Sequence, residues 1–373
     1  MDAATTRGPG ARVLLVLPAA ALLLLGLNAG LILLGVPMPL IADRLPELHA
    51  PLLVFGFVGT LISLERAVAL RAGWAYLAPA LLAAGMILAL TPLPLIVGQA
   101  TVTVGLVMHL AQYRAIWRRQ PMTATAVQGL GAVSGAAAGL AWCGGIPPAF
   151  LVPMLSCFLV LTIVGERLEL ARVAAPGLAA ERALFALSLA LAAATLLGLV
   201  MPSIAVPVAG ALLLAIVVWL LRHDIVRATV RQHGLPRYVA ICLFTGYAWL
   251  VVAGVGWLLG GSRTDGSLFD ATTHAVFLGF VITMIMAHAP LILPAVLRVR
   301  IPYHPALYAP MALLQLGLLL RVVGGDAWGS LPALQIGGAT SAVAMLLFAV
   351  TAAAAGLRGR QARATRGAAR VAP

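Results

Sequence analysis

Residues 13–36 read VLLVLPAAALLLLGLNAGLILLGV, a run without a charged side chain. About 20 such residues cross a bilayer as an α-helix, whereas the apolar core of a signal peptide is shorter. No small-residue cleavage site clearly ends the run, so we expect a helix that is retained in the membrane. The rest of the 373-residue chain is similar, since 62% of all residues are hydrophobic and 9% are charged. This composition indicates a protein solvated mainly by lipid.

Apolar runs of this kind recur along the whole chain. A transmembrane β-barrel would instead show alternating segments of about 10 residues. Because a membrane span must satisfy its backbone internally, the remaining solution is helical, and we predict an all-α polytopic membrane protein. The predicted transmembrane helices, about twelve in number, cover residues 13–36, 49–71, 74–93, 94–116, 122–145, 147–166, 183–202, 204–222, 238–260, 272–297, 305–323 and 333–356.

The positive charges predict the topology. The chain has no lysine, and 21 of its 24 arginines fall at the N-terminus, in every second connection and at the C-terminus. The positive-inside rule therefore predicts that both termini are cytoplasmic. The predicted organisation is a short cytoplasmic N-terminus (1–12), one transmembrane domain (13–356) and an arginine-rich cytoplasmic tail (357–373). Since topology accounts for the net charge of +13, we predict contact with a lipid bilayer and not with nucleic acid.

Histidines are the most informative polar residues, because ionisable groups inside a membrane are costly and are candidates for function. On the predicted topology, His49 and His274 lie at the same outer boundary. His109 and His288 lie in the inner half, and His304 lies at the inner surface. His288 follows His274 by 14 residues, so α-helical geometry predicts that the two point to nearly the same face.

The outer pair suggests a haem site. Neutral imidazoles on facing helices can ligate haem iron from both sides. The anionic propionates would then need cations near the surface, and the three arginines predicted to be outer are Arg44, Arg263 and Arg321. The alternative is that His49 and His274 are interfacial residues that bond loop carbonyls or water.

The inner polar residues leave more alternatives open. Among the histidines, His109, His288 and His304 could contribute to a second metal such as copper, to proton transfer, or to hydrogen bonds between helices. Glu65-Arg66 and Glu166-Arg167 indicate ion pairs, or else part of a proton or substrate path. No nucleotide-binding loop, nucleophile elbow or HExxH motif occurs, so hydrolysis has no support, and the sequence leaves open whether the protein is an enzyme.

Two of the predicted spans share a short sequence. Residues 56–62 read GFVGTLI and residues 279–285 read GFVITMI, and each stretch follows a His-Ala pair. The histidine precedes the glycine by seven residues in the first case and by five in the second. At 100° per residue these offsets differ, so the two histidines need not face alike relative to the shared stretch.

The region around His274 resembles a known family. The stretch THAVFLGFVITMIMAHAPLILPAVLRVRIPYHPALY (273–308), the following QLGLLLRVVGG (315–325) and LHAPLLVFGF (48–57) are similar to segments of NnrS-type membrane proteins. The match is good over residues 270–350 and thin at 45–65. The family's pattern Gly-His-Thr-Gly-Arg reads YHPAL at 303–307, so we identify the chain as a divergent member.

The resemblance implies a bacterial inner-membrane protein that contains haem and copper and is linked to nitric oxide metabolism and nitrosative stress. By position, His49, His274 and His304 match the family's histidines, and Arg321 matches its arginine. The leading hypothesis is therefore an NnrS-like protein that binds haem b, with copper as a further cofactor. The alternatives are a polytopic transporter or permease of unknown substrate, and a structural or assembly subunit.

Overall fold

The computed structural model describes residues 10–40, 42–171, 177–297 and 303–371, and within these ranges the chain is helical and contains no β-strand. We number its main helices α1 to α12. Their bounds are α1 Gly10–Leu33, α2 Pro46–Leu70, α3 Gly73–Ala89, α4 Leu95–Arg119, α5 Thr123–Cys143, α6 Pro148–Ala171, α7 Leu178–Leu197, α8 Pro202–His223, α9 Leu235–Gly260, α10 Gly266–Ile292, α11 Pro305–Ala327 and α12 Leu331–Val371.

The helices agree with the predicted class of an all-α, multi-pass membrane protein. Eleven of them are long and apolar enough to cross a membrane, counted within the described ranges. The twelfth, α3, is apolar but shorter, and it corresponds to the predicted span 74–93. The total of twelve spans and the cytoplasmic termini stay predictions. Residues 1–9 of the predicted N-terminal segment lie outside the described residues, and α12 continues through most of the predicted tail.

Helices α6 and α10 form the centre of the bundle. In the most apolar stretch of each spanning helix, 78% of the residues of α6 and 72% of those of α10 are buried. These shares are larger than in the other spanning helices of the described ranges. A helix that is hydrophobic on all sides packs inside a larger assembly, whereas the outer helices keep an apolar face towards lipid. Helix α1 contacts α2, α10 and α12, so the first and last helices meet and close the bundle.

Glycines set the closest helix crossings. A Cβ atom added at Gly85 of α3 would lie 2.7 Å from the backbone nitrogen of Val102 in α4. Between α8 and α9, a Cβ at Gly210 would lie 2.6 Å from the carbonyl oxygen of Gly254. Without a hydrophobic driving force between helices in lipid, such close backbone approach provides the packing that holds them together.

Three helices contain π-helical segments, in which the backbone bonds run from i to i+5. The segments are Leu52–Gly59 in α2, Ala275–Ile282 in α10 and Leu320–Ala327 in α11. The first two overlap the first four residues of the repeated sequence GFV(G/I)T(L/M)I, and they follow His49 and His274 closely. In both, the threonine after the segment donates to the carbonyl five residues earlier: Thr60 to Phe55 at 3.5 Å and Thr283 to Leu278 at 3.4 Å.

These segments alter the angular prediction. A step of 100° per residue holds for an α-helix, and eight residues between His274 and His288 are π-helical. The step of 100° per residue therefore does not give the relative orientation of His274 and His288. The same holds for the two repeats, since most of the residues between each histidine and the glycine of its repeat are π-helical.

Candidate functional site

A cavity of about 480 Å³ opens between α1, α2, α10, α11 and α12, near the end of the bundle that is predicted to be outer. Its walls are mostly apolar and include Leu27, Leu53, Phe57 and Phe277. Ligand sites are typically concave and apolar with a few convergent polar groups. The titratable side chains that line it come from the three helices with π-helical segments, and they are Glu47, His49, Asp270, His274, Arg321 and Asp326.

The two histidines are held in the same tautomer. Nδ1 of His49 lies 2.8 Å from the carbonyl oxygen of Gly26, and Nδ1 of His274 lies 2.8 Å from that of Asp270. A carbonyl only accepts, so each Nδ1 must carry the hydrogen. Nε2 then keeps its lone pair, and neither Nε2 has a hydrogen-bond partner among the described residues. A metal-ligating histidine is oriented in this way, with its other nitrogen donating to a backbone carbonyl.

Glycine makes room for the first imidazole. A Cβ added at Gly30 of α1 would lie 2.5 Å from Cε1 of His49, so any larger residue would displace the ring. The Gly26/Gly30 spacing in the sequence therefore has two roles: Gly26 provides the carbonyl that accepts from His49, and Gly30 provides the space.

An ion pair holds the opposite wall of the cavity. Arg321 donates through Nε and Nη2 to the two carboxylate oxygens of Asp270, at 2.8 and 2.7 Å. This bidentate geometry is the strong form of the arginine–carboxylate pair. It leaves Nη1 of Arg321 without a hydrogen bond to a described residue. The side chain of Asp326 also faces Asp270 and Arg321, and its Oδ2 is buried without a partner within the described ranges.

The other two arginines predicted to be outer lie elsewhere. Arg44 donates to the carbonyls of Thr91 and Leu93, at 3.1 and 2.7 Å, and so holds the connection between α3 and α4. Arg263 is exposed, and its Nε is 3.4 Å from the carbonyl of Gly260. Neither lines the cavity, so Arg321 is the one cation of the predicted three that the structure places beside His49 and His274.

The remaining histidines are separate from the cavity. His109 is fully buried, and its Nδ1 lies 2.8 Å from Oε1 of Gln112. His288 donates from Nδ1 to the carbonyl of Met284 at 2.8 Å. His304 is exposed, and its Nδ1 accepts from the backbone nitrogen of Ala306 at 3.1 Å, so it caps the start of α11. Within the described ranges, no three His, Cys, Asp or Glu side chains are grouped closely enough to hold a metal ion.

Charged side chains also meet in the opposite half of the bundle. Arg66 contacts both Glu65 and Glu166, which links α2 to α6. Arg167 forms a bidentate pair with Asp224, at 2.8 and 2.6 Å, and Tyr247 donates to the same carboxylate at 2.6 Å. The two motifs Glu65-Arg66 and Glu166-Arg167 thus form ion pairs that connect helices.

Asp270 and Asp326 of the cavity were not among the predicted site residues, and neither was Glu47. Asp270 lies one helical turn before His274 and neutralises Arg321. Asp326 lies near the end of the π-helical segment Leu320–Ala327, which also contains Arg321. A signal for both was present, because a carboxylate in an apolar span is itself a candidate for function.

Comparisons with known proteins place the chain in one family. A family model described as "Domain of unknown function (DUF8744)" matches residues 12–357, which include every helix that lines the cavity. No curated protein and no solved structure matches the chain.

Proposed function

The chain belongs to the DUF8744 family, and we propose that it is a haem-binding protein of the bacterial inner membrane with both termini in the cytoplasm. His49 and His274 are the proposed axial ligands. The observation that carries the proposal is their shared tautomer: both imidazoles are anchored through Nδ1–H, and both bare Nε2 atoms belong to side chains that line one cavity.

The cavity residues suit part of a haem group well. The two oriented imidazoles would bind the iron, and the leucine and phenylalanine walls would contact the macrocycle. Nη1 of Arg321 is the one free arginine donor in the cavity for a propionate, and Asp270 fixes the guanidinium that would offer it. Haem iron supplies redox chemistry and binding of small gases, and the role of this chain is to hold the imidazoles, exclude water and set the local charge.

The resemblance to NnrS-type proteins supports a biological role. It is strongest over residues 270–350, which contain His274 and Arg321, and it also covers the LHAPLLVFGF stretch with His49. We therefore propose a role in nitric oxide metabolism or in the response to nitrosative stress. Copper is the second proposed cofactor, for which the resemblance is the support.

The first test is optical. Protein purified in detergent from haem-replete cells is expected to show a Soret band and a reduced-minus-oxidised difference spectrum. His49→Ala and His274→Ala should each alter the spectrum, and the double variant should lose it. His233→Ala changes an exposed histidine that does not line the cavity, and it should leave the spectrum intact.

Two results would contradict the haem proposal: a purified wild-type protein without a Soret band, or a spectrum indifferent to the double variant. The nitric oxide role has its own test. Cells that lack the gene should grow poorly under a nitric oxide donor. Wild-type protein should restore growth, and the double variant, present at the same level in the membrane, should not.

A further inference from the structure

The second cluster of interest is the Glu65–Arg66–Glu166 triad, which lies in the half of the bundle that carries the arginine-rich connections. Nη2 of Arg66 is 2.7 Å from Oε1 of Glu65 and 3.0 Å from Oε1 of Glu166. Two carboxylates therefore share a single guanidinium nitrogen, while Nε of Arg66 is buried without a partner in the described structure.

The neighbouring arginine does not balance the second carboxylate. Arg167 is committed to Asp224 by two hydrogen bonds, and Tyr247 and the backbone nitrogen of Val226 donate to the same carboxylate. That network is neutral and satisfied. With both glutamates ionised, the triad would carry a net charge of −1 inside the bundle. Unbalanced charge among partly buried side chains is disfavoured, and one bound proton removes it.

A buried histidine provides a second acceptor for the same proton. His288 is 7% exposed, its Nδ1 donates to the carbonyl of Met284, and its Nε2 is buried without a partner in the described residues. The ring interacts electrostatically with Glu65. Since Nδ1 carries the hydrogen, the bare Nε2 is a base on α10, in a ring whose charge would be felt by the triad.

We propose that Glu65, Glu166 and His288 form a proton-binding centre that holds one exchangeable proton. The proton comes from water on the arginine-rich side and forms an O–H bond with a carboxylate oxygen; no other bond changes. The glutamate side chains are 25% and 17% exposed, which gives that water access to them. His288 Nε2 is the next acceptor towards the interior. This site is independent of the haem proposal.

The charged and titratable groups around the centre come from five parts of the chain. They are Glu65 and Arg66 of α2, His109 and Tyr113 of α4, Glu166, Arg167 and Glu169 of α6, Asp224 and Tyr247 of the α8–α9 region, and His288 of α10. Glu169 is exposed and lies one turn after Glu166, so it serves as a matched control.

Infrared difference spectroscopy tests the proposal on the full-length protein in lipid nanodiscs. A carboxylic acid C=O band is expected at neutral pH, with a shift in D₂O, and it should disappear when the pH is raised. Glu65→Gln and Glu166→Gln should each remove this band, because one carboxylate alone is balanced by Arg66. Glu65→Asp should keep a band at a shifted frequency, and Glu169→Gln, which removes a neighbouring charge but no member of the centre, should keep the band.

Asp326 is the other buried acid that could contribute, so the series is best measured in an Asp326→Asn background. His288→Gln should retain the band and shift the pH at which it disappears. The proposal is overturned if the wild type shows no exchangeable carboxylic acid band between acidic and alkaline pH. It is equally overturned if the band survives in the Glu65→Gln/Glu166→Gln double variant while that variant is monodisperse.

Discussion

Replacing Asp224 by alanine is expected to destabilise the protein by about 3–5 kcal/mol, the usual cost of removing one partner of a buried ion pair. The Asp224 side chain is completely buried, and that of Arg167 is 3% exposed. The change would leave a buried guanidinium without its counter-charge. It would also remove the acceptor of the Tyr247 hydroxyl and of the Val226 backbone nitrogen.

The measurement is reversible unfolding in detergent, followed by circular dichroism as SDS is added. Asp265→Ala, which removes an exposed aspartate, is the matched control and should change little. The double variant Arg167→Met/Asp224→Leu should recover most of the loss, because a buried ion pair replaced by apolar residues of similar volume is often nearly neutral. An Asp224→Ala protein as stable as the wild type would show that the network does not hold α6, α8 and α9 together.

Replacing Gly337 by alanine is expected to destabilise the α11–α12 crossing by about 1–3 kcal/mol, the usual cost of overpacking. A Cβ at Gly337 would lie 2.6 Å from the backbone nitrogen of Arg321 and 2.6 Å from the carbonyl of Gly317. Backbone atoms cannot rotate away as the end of a side chain can. The helices must separate instead, and Arg321 moves with α11.

Gly129→Ala is the control for this substitution, because a Cβ there meets nothing within 4 Å. Both variants are read by the same SDS unfolding and by size-exclusion chromatography. If the haem proposal holds, Gly337→Ala should also weaken the haem spectrum, since Arg321 lines the cavity. If the two glycine variants were equally stable, the close approach of α11 and α12 at Gly337 would be contradicted.

Sequence reasoning was sufficient for the fold class because the physical signal is strong. Long apolar runs require membrane helices, and eleven described helices meet that criterion. The bounds of single spans were less accurate. The predicted span 74–93 runs past the end of α3 at Ala89, and the prolines that follow occupy the connection to α4. A mean hydropathy over this stretch does not reveal where the backbone leaves the helix.

The site was only partly accessible from the sequence. The predicted common depth of His49 and His274 agrees with their place in one cavity, whereas the angular argument used a step of 100° per residue that does not hold through the π-helical segment of α10. Of three arginines at the same predicted depth, only Arg321 reaches the cavity. The depth of a residue follows from its position along a helix. Which residues of different helices are neighbours depends on helix packing, and this cannot be predicted from a single sequence.

The π-helical segments connect the two polar regions of the bundle. In α2, His49 lies before the π-helical segment and Glu65 lies after it. In α10, His274 lies before the segment and His288 lies in the α-helical part that follows it. A π-helical turn holds more residues than an α-helical turn, so an α-helical Leu52–Gly59 would place Glu65 at a different angle relative to His49. The angular relation between the cavity and the triad thus depends on the backbone hydrogen-bond pattern of these segments as well as on the identity of the side chains.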